Sequence, residues 1–295
     1  MKQPERFQFT STDGLSIACV KWGGRHHVRG VVQIAHGLGE HMGRYAELAE
    51  KLVEGEFVVY GNYHRGHGLT AKASGNFGDF GPGGFNQLVE DMLSLQTIAK
   101  NEQPGKPYIL LGHSMGSFAA QQFILEYSHS IDGLALSGSG TLDGLLRLAQ
   151  SVSTGEDPMT LMNSAFEPAR TPLDWLSRDN AEVDAFIADP LGFPSLNARS
   201  MKSFLDASSR LADPIEIRKV RKDLPLCIFS GSEDPVGQRL EGVRALMDRY
   251  RSEGVASIAH DFYPGGRHEM LHELNRREVF ANLHVWISSI LERVS

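Results

Sequence analysis

Cysteine is scarce in this chain of 295 residues: Cys19 and Cys227 are the only two. They make no disulfide framework of the kind that staples small secreted domains. An excess of positive charge is missing as well. Lys and Arg total 29 against 36 Asp and Glu, a formal charge of −7, so the chain has no surplus of cations to neutralise phosphates, and nucleic acid is excluded as an expected partner. No apolar run approaches the roughly 18 residues that a membrane-crossing helix needs. Met1-Lys2-Gln3-Pro4-Glu5-Arg6 has no apolar stretch behind it that would read as a signal peptide. Repeats and low-complexity segments are absent too. These absences lead to the expectation of a soluble, cytoplasmic protein. What is plentiful is apolar residues, 41% of the chain, and glycine, 31 residues, enough for a large core and many tight turns.

The patterning predicts a β-hairpin over Phe7–Trp22, where Asp13-Gly14 supplies the turn between two alternating runs. Short apolar strands follow at Gly30–Ala35, Phe57–Tyr60, Tyr108–Leu111, Leu134–Leu136, Leu226–Ser230 and Ser257–Tyr263. Between them lie helical spacings at Arg44–Val53, Phe85–Ala99, Phe118–Tyr127 and Gln238–Arg251, and Glu278–Leu291 closes the chain. Such alternation predicts an α/β fold: a mostly parallel sheet with helices on both faces. It fails between Thr141 and Asp213, where helical spacings are broken by Pro158, Pro168, Pro172, Pro190 and Pro194. We expect a core in two parts, 1–140 and 214–295, with an inserted helical segment at 141–213.

Gly112-His113-Ser114-Met115-Gly116 fits Gly-x-Ser-x-Gly between an apolar strand and a helix. A strand-to-helix turn this sharp needs small residues beside the serine, and it presents the hydroxyl at the carboxyl end of the strand, where open α/β sheets bind ligands. A serine hydroxyl needs a base, and the base an orienting acid. In this class of sheet the chain order is serine, acid, histidine. Leu226–Ser230 runs into Gly231-Ser232-Glu233-Asp234, and Ser257–Tyr263 runs into Pro264-Gly265-Gly266-Arg267-His268. Ser114, Asp234 and His268 are therefore the expected nucleophile, acid and base. Glu233 competes for the acid and His272 for the base. His260 lies inside a strand, His113 is expected to pack along the turn, and His36, His64 and His67 are expected in structural or loop roles.

One motif points elsewhere. His268-Glu269-Met270-Leu271-His272 spells His-Glu-x-x-His, the zinc-peptidase pattern. Zinc needs both histidines on one helix and a third ligand, whereas here a Pro-Gly-Gly loop runs straight into His268. A metal is not expected, nor is any other cofactor.

With these residues identified, the chain resembles the monoacylglycerol lipase and lysophospholipase branch of the α/β-hydrolases, the branch allied to serine aminopeptidases of the S33 type. The resemblance spans nearly the whole chain. It rests on His36-Gly37-Leu38-Gly39-Glu40-His41 with Gly43-Arg44-Tyr45, on Arg65-Gly66-His67-Gly68, and on the Ser114 turn. Leu176-Ser177-Arg178-Asp179, Asp189-Pro190-Leu191 and the Asp234 and His268 loops extend it. Tyr63 stands where the family usually has Asp, two residues before Arg65. The resemblance implies that 141–213 caps the site and that the backbone N–H groups of Leu38 and Met115 form an oxyanion hole. It implies a serine hydrolase of carboxylic esters acting on small, single-chain lipid esters such as a monoacylglycerol or lysophospholipid, with transient membrane-surface contact through the cap. Three other readings stand beside it. One is an aminopeptidase-type amide hydrolase, which would need an acidic cluster for a substrate amine; Glu156, Asp157, Glu167 and Asp174 are the acids available in the segment. The others are a non-catalytic ligand-binding homologue and the zinc peptidase.

Overall fold

A computed structural model describes residues 3–24, 27–151, 162–192 and 195–294. Among the described residues, eight strands form one sheet in the order β1-β2-β4-β3-β5-β6-β7-β8. They are β1 (Glu5–Thr10), β2 (Ser16–Trp22), β3 (Gly30–Ala35), β4 (Phe57–Asn62), β5 (Tyr108–His113), β6 (Gly133–Ser137), β7 (Leu226–Gly231) and β8 (Ile258–Tyr263). The β1–β2 hairpin turns at Gly14, whose φ of 87° suits glycine, and β2 pairs antiparallel with β4. All remaining pairings are parallel.

Parallel strands need crossovers, and helices supply them. These are α1 (Ala46–Glu54), α2 (Gly68–Ser74), α3 (Gly84–Glu102), α4 (Met115–Tyr127), α5 (Leu142–Ser151), α6 (Asn180–Ala188), α7 (Ala198–Ala212), α8 (Glu241–Ser252) and α9 (Arg276–Val294). β3 to β7 are buried along their whole length, as expected of strands covered on both faces. Two apolar cores result. One packs α3, α4 and α8 on the first face of the sheet; the other packs α1 and α9 on the second. β8, like β1 at the other end, is an edge strand. It pairs only with β7, and most of its residues are exposed or half-buried.

The α/β expectation agrees with this architecture, and the differences are local. α2 gave no apolar period to detect. The first turn of the Arg44 helix is a 3₁₀ turn, Met42–Tyr45, and α1 proper starts at Ala46. α4 starts at Met115 rather than Phe118, because its first turn, Met115-Gly116-Ser117, carries no apolar period. α8 starts at Glu241 rather than Gln238. Gln238, Arg239 and Leu240 all have positive φ (51°, 50° and 73°), since the chain must fold back there to let Arg239 N–H reach the Asp234 carbonyl at 2.9 Å.

Between β6 and β7, the described residues contain helices α5, α6 and α7, a one-turn helix at Pro214–Ile217 and no strand. Residues 152–161, with Glu156 and Asp157, lie outside the described residues. Elsewhere, Tyr63 is buried and stacks on His41, with ring centroids 6.0 Å apart.

Candidate active site

β3, β5, β7 and β8 all run the same way, so the loops after them meet at one edge of the sheet. The turn after β5 is tightly built. Ser114 has φ 52° and ψ −121°, a region that non-glycine residues enter only under constraint. The constraint is packing. A Cβ on Gly116 would lie 2.1 Å from the Ala35 carbonyl oxygen, and one on Gly112 would lie 2.5 Å from the Gly116 oxygen. Only glycine lets α4 start against the end of β3.

Three side chains converge there. Ser114 Oγ lies 2.9 Å from His268 Nε2, and His268 Nδ1 lies 2.9 Å from Asp234 Oδ1. The carboxylate can only accept, so Nδ1 carries the proton and Nε2 is free to accept from the serine hydroxyl. Asp234 and His268 are buried. Asp234 Oδ1 also accepts the Val236 N–H at 2.9 Å. The Asp234 and His268 loops are pressed together: Glu233 N–H donates to the Gly266 carbonyl at 2.9 Å, and a Cβ on Gly231 would collide with Gly266. Gly138 leaves the room that the rings of His113 and His268 occupy. Burial alone would lower the His268 pKa. The Asp234 carboxylate, with Glu269 and Glu40 beyond it, outweighs this and raises it above the ordinary value.

The competing residues are elsewhere. Glu233 is half-exposed and lies 3.6 Å from Arg239. His272 Nε2 lies 3.0 Å from the Arg44 carbonyl and faces Tyr45 edge-on. His260 is exposed on β8. His113 is buried behind the serine, its ring 4.9 Å from that of His268. Burial, and the charge His268 can carry, push its pKa down to about 4, so it stays neutral. His36, His64 and His67 form a buried ring cluster, with His36 4.3 Å from His64 and 5.2 Å from His67. Burial pushes His36 to about 4 and His67 to about 3.

The His-Glu-x-x-His residues do not converge. His268 faces Ser114, His272 faces Arg44, and Met270–His272 is a single 3₁₀ turn. Glu269 instead forms a two-pronged ion pair with Arg44, at 2.6 and 2.7 Å. Arg44 also binds Glu40 at 2.9 Å, and Glu40 accepts from the Gly37 N–H at 2.5 Å and the Tyr45 hydroxyl at 2.6 Å. Burial opposes both charges, but Arg44 holds both carboxyls below the usual range. Sequence reasoning missed this Glu40–Arg44–Glu269 unit, although Glu40 and Arg44 both lie inside the motifs quoted for the resemblance.

Leu38 and Met115 border the same cavity as Ser114 and His268. Met115 is the first residue of α4, a position whose N–H has no acceptor in its own helix. A Cβ on Gly37 would sit 3.2 Å from Ser114 Cβ, so the loop carrying Leu38 lies against the serine. The cavity encloses about 610 Å³, and the β6–β7 segment supplies much of its wall, including Leu145, Met162, Leu173, Trp175, Phe186 and Phe204. Of the segment's acids, Asp174 accepts from Arg170 N–H and from the Thr171 hydroxyl, and Glu167 accepts from Ala169 N–H.

The family model described as "Serine aminopeptidase, S33" matches residues 26–275. A monoacylglycerol lipase of Mycolicibacterium smegmatis is 30% identical over 96% of both chains, and the human monoglyceride lipase is 28% identical over 94% of this chain and 88% of its own. Among solved structures, a highly thermostable carboxyl esterase from Bacillus coagulans, in complex with glycerol, superposes with a TM-score of 0.88 at 32% identity, covering 99% of this chain and all of its own. No helix among the described residues is long and apolar enough to cross a membrane. On the family match and the full-length similarity, the chain belongs to the S33 serine aminopeptidase family, in the monoacylglycerol-lipase-like branch of the α/β-hydrolases.

Proposed function

We propose that this chain is a carboxylic ester hydrolase acting through an acyl-enzyme on single-chain lipid esters, such as a monoacylglycerol or a lysophospholipid. The observation that carries this reading is the Ser114–His268–Asp234 hydrogen-bonded chain opening into a large, mostly apolar cavity. Ser114 Oγ attacks the acyl carbon while His268 Nε2 takes its proton. Asp234 holds the imidazole in the productive tautomer and balances the imidazolium that forms. The Leu38 and Met115 N–H groups receive the oxyanion. His268 returns the proton to the leaving alcohol, then activates a water that releases the fatty acid and frees Ser114. No step uses a metal or cofactor.

In this reading residues 141–213 form a cap that selects the acyl chain, flanked by core parts 1–140 and 214–295. The lipase and esterase names of the relatives favour ester over amide. So does the electrostatics of the cavity. Glu40 and Glu269 border it, but their oxygens are taken up by Arg44, Tyr45 and Gly37, which leaves them poorly placed to hold a substrate amine. Exposed Leu148 and Ile187 on the cap suit brief contact with a membrane surface where such lipids reside. Two free, buried cysteines suit the reducing cytoplasm. Nucleic acid has no place in this function.

The test is a panel of p-nitrophenyl esters, monoacylglycerols, lysophospholipids and aminoacyl amides. We expect turnover of the single-chain lipid esters to dominate. Best turnover on aminoacyl amides would overturn the ester reading.

A further inference from the structure

We propose that Trp175, from the β6–β7 segment, is a positioning residue for the base: its indole face steadies His268 and stabilises the imidazolium that forms during turnover. The proposal rests on His268 being the base.

Three observations carry it. First, the His268 ring has two aromatic rings against it. The Trp175 ring centroid is 4.9 Å away at an interplanar angle of 38°, and His113 is 4.9 Å away at 45°. The charged groups around the imidazole are Asp234, Glu269 and Glu40, with Arg44 behind the two glutamates. His113 remains neutral, so it offers no competing charge. A cation within about 6 Å of an indole face is attracted by the ring quadrupole, more strongly where water is excluded.

Second, the backbone beside Trp175 is sewn to the base loop. His268 N–H donates to the Trp175 carbonyl at 3.4 Å, and Glu269 N–H donates to the Leu176 carbonyl at 2.7 Å. Arg267 Nη1 reaches the Asp174 and Ser177 carbonyls at 2.5 and 3.2 Å, and its guanidinium lies over Phe166. The Ser177 hydroxyl donates to the His272 carbonyl at 2.9 Å, and Arg178 binds Glu273 at 3.0 Å. Trp175 is thus held against His268 by bonds that its own side chain does not make.

Third, Trp175 is 94% buried, yet its indole Nε1 has no hydrogen-bond partner among the described residues. Burying an unmade donor costs stability that phenylalanine or leucine would avoid. Among the described residues the indole is therefore held by packing and by the backbone bonds beside it, not by a side-chain hydrogen bond of its own.

The experiment compares wild type with Trp175→Leu, Trp175→Met and Trp175→Phe on p-nitrophenyl acetate, an ester too short to need the acyl-chain wall. Active sites are counted with a fluorophosphonate, and His268→Ala serves as the control. In Leu and Met, which lack a π face, kcat should fall about three- to tenfold with KM within about twofold of wild type, and the acid limb of kcat/KM should move about half a unit or more to lower pH. Phe should recover at least half of the lost kcat. The two non-aromatic variants guard against one of them failing to fold. Acetate kinetics and an acid limb equal to wild type, with only longer esters affected, would reduce Trp175 to wall and overturn the proposal. Retained activity in His268→Ala would instead overturn the base assignment beneath it.

Discussion

The sheet edge and the β6–β7 segment share one cavity but are built on opposite principles. At the edge, the carboxylates nearest Ser114 are held by short bonds in a buried setting: Asp234 by His268 and Val236, Glu40 by Gly37, Tyr45 and Arg44. Glycines without room for a Cβ lock the loops together. The segment instead presents Leu, Met, Phe and Trp side chains to the same space, joined by non-directional contacts. Directional bonds fix reacting atoms to within fractions of an ångström, as proton transfer requires. Apolar contact tolerates variation and measures size. On the proposed function, the difference puts the reacting groups at the edge and the choice of acyl chain in the segment, with Trp175 as the point where the segment reaches the base.

The comparison breaks first at Ser114. Ser114→Ala should lower kcat by about 10⁶, and a fluorophosphonate should label Ser114 alone; labelling at another serine would move the chemistry away from this edge. Asp234→Asn should cost about 10⁴ through the wrong imidazole tautomer, while Glu233→Gln stays near wild type. A reversed ranking of those two variants would make Glu233 the acid.

The edge should also fail first in acid. His36, His67 and His113 have folded pKa values lowered to about 4, 3 and 4. Below their unfolded value near 6.5 the unfolded chain takes up protons that the folded chain refuses. Stability is therefore lost as pH falls from about 7 toward 4, by roughly 2 kcal/mol per histidine at pH 5. His268, raised in the fold, works the other way, and the lowered glutamates act only below their ordinary range. Urea titrations at pH 7 and pH 5 should show the drop; equal midpoints would mean that the cluster is not neutral in the fold.

The smallest effect sharpens the segment's side. Turnover should rise about three- to fourfold per acyl methylene until the cavity fills, at about 0.8 kcal/mol each. Leu173→Trp should shorten the best chain while leaving the acetate ester almost unchanged. A flat chain-length profile would remove selection from the segment.

Much of this was legible in the residues. The sheet followed from alternation, because fully buried parallel strands are short, apolar and glycine-bounded. Ser114 and Asp234 could be picked because each follows such a strand, and His268 because it follows the half-buried β8 at the same edge; their expected order restricted the choice, and the structure brings the three into one hydrogen-bonded chain. Glu269 sits in a spacing that mimics zinc chemistry, but its ion pair with Arg44, a partner 225 residues away, is a long-range contact that no local pattern shows. The role of Trp175 could not be read at all, since local periodicity cannot show which ring a tryptophan will meet across the fold. The left-handed turn at Gln238–Leu240 escaped for a related reason, because closure around Asp234 overrode local preference.

The edge strand β8 has a consequence for how long the enzyme works. β8 leads into the base, yet it has a neighbour on one side only and little apolar cover. A strand of that kind opens locally at far lower cost than the interior strand β5, which leads into the serine. On warming, His268 should therefore wander from its place while the interior strands still hold. Working lifetime is then set by the fraying of one margin rather than by collapse of the whole, and the stitches from Arg267, Ser177 and Arg178 act as the hem.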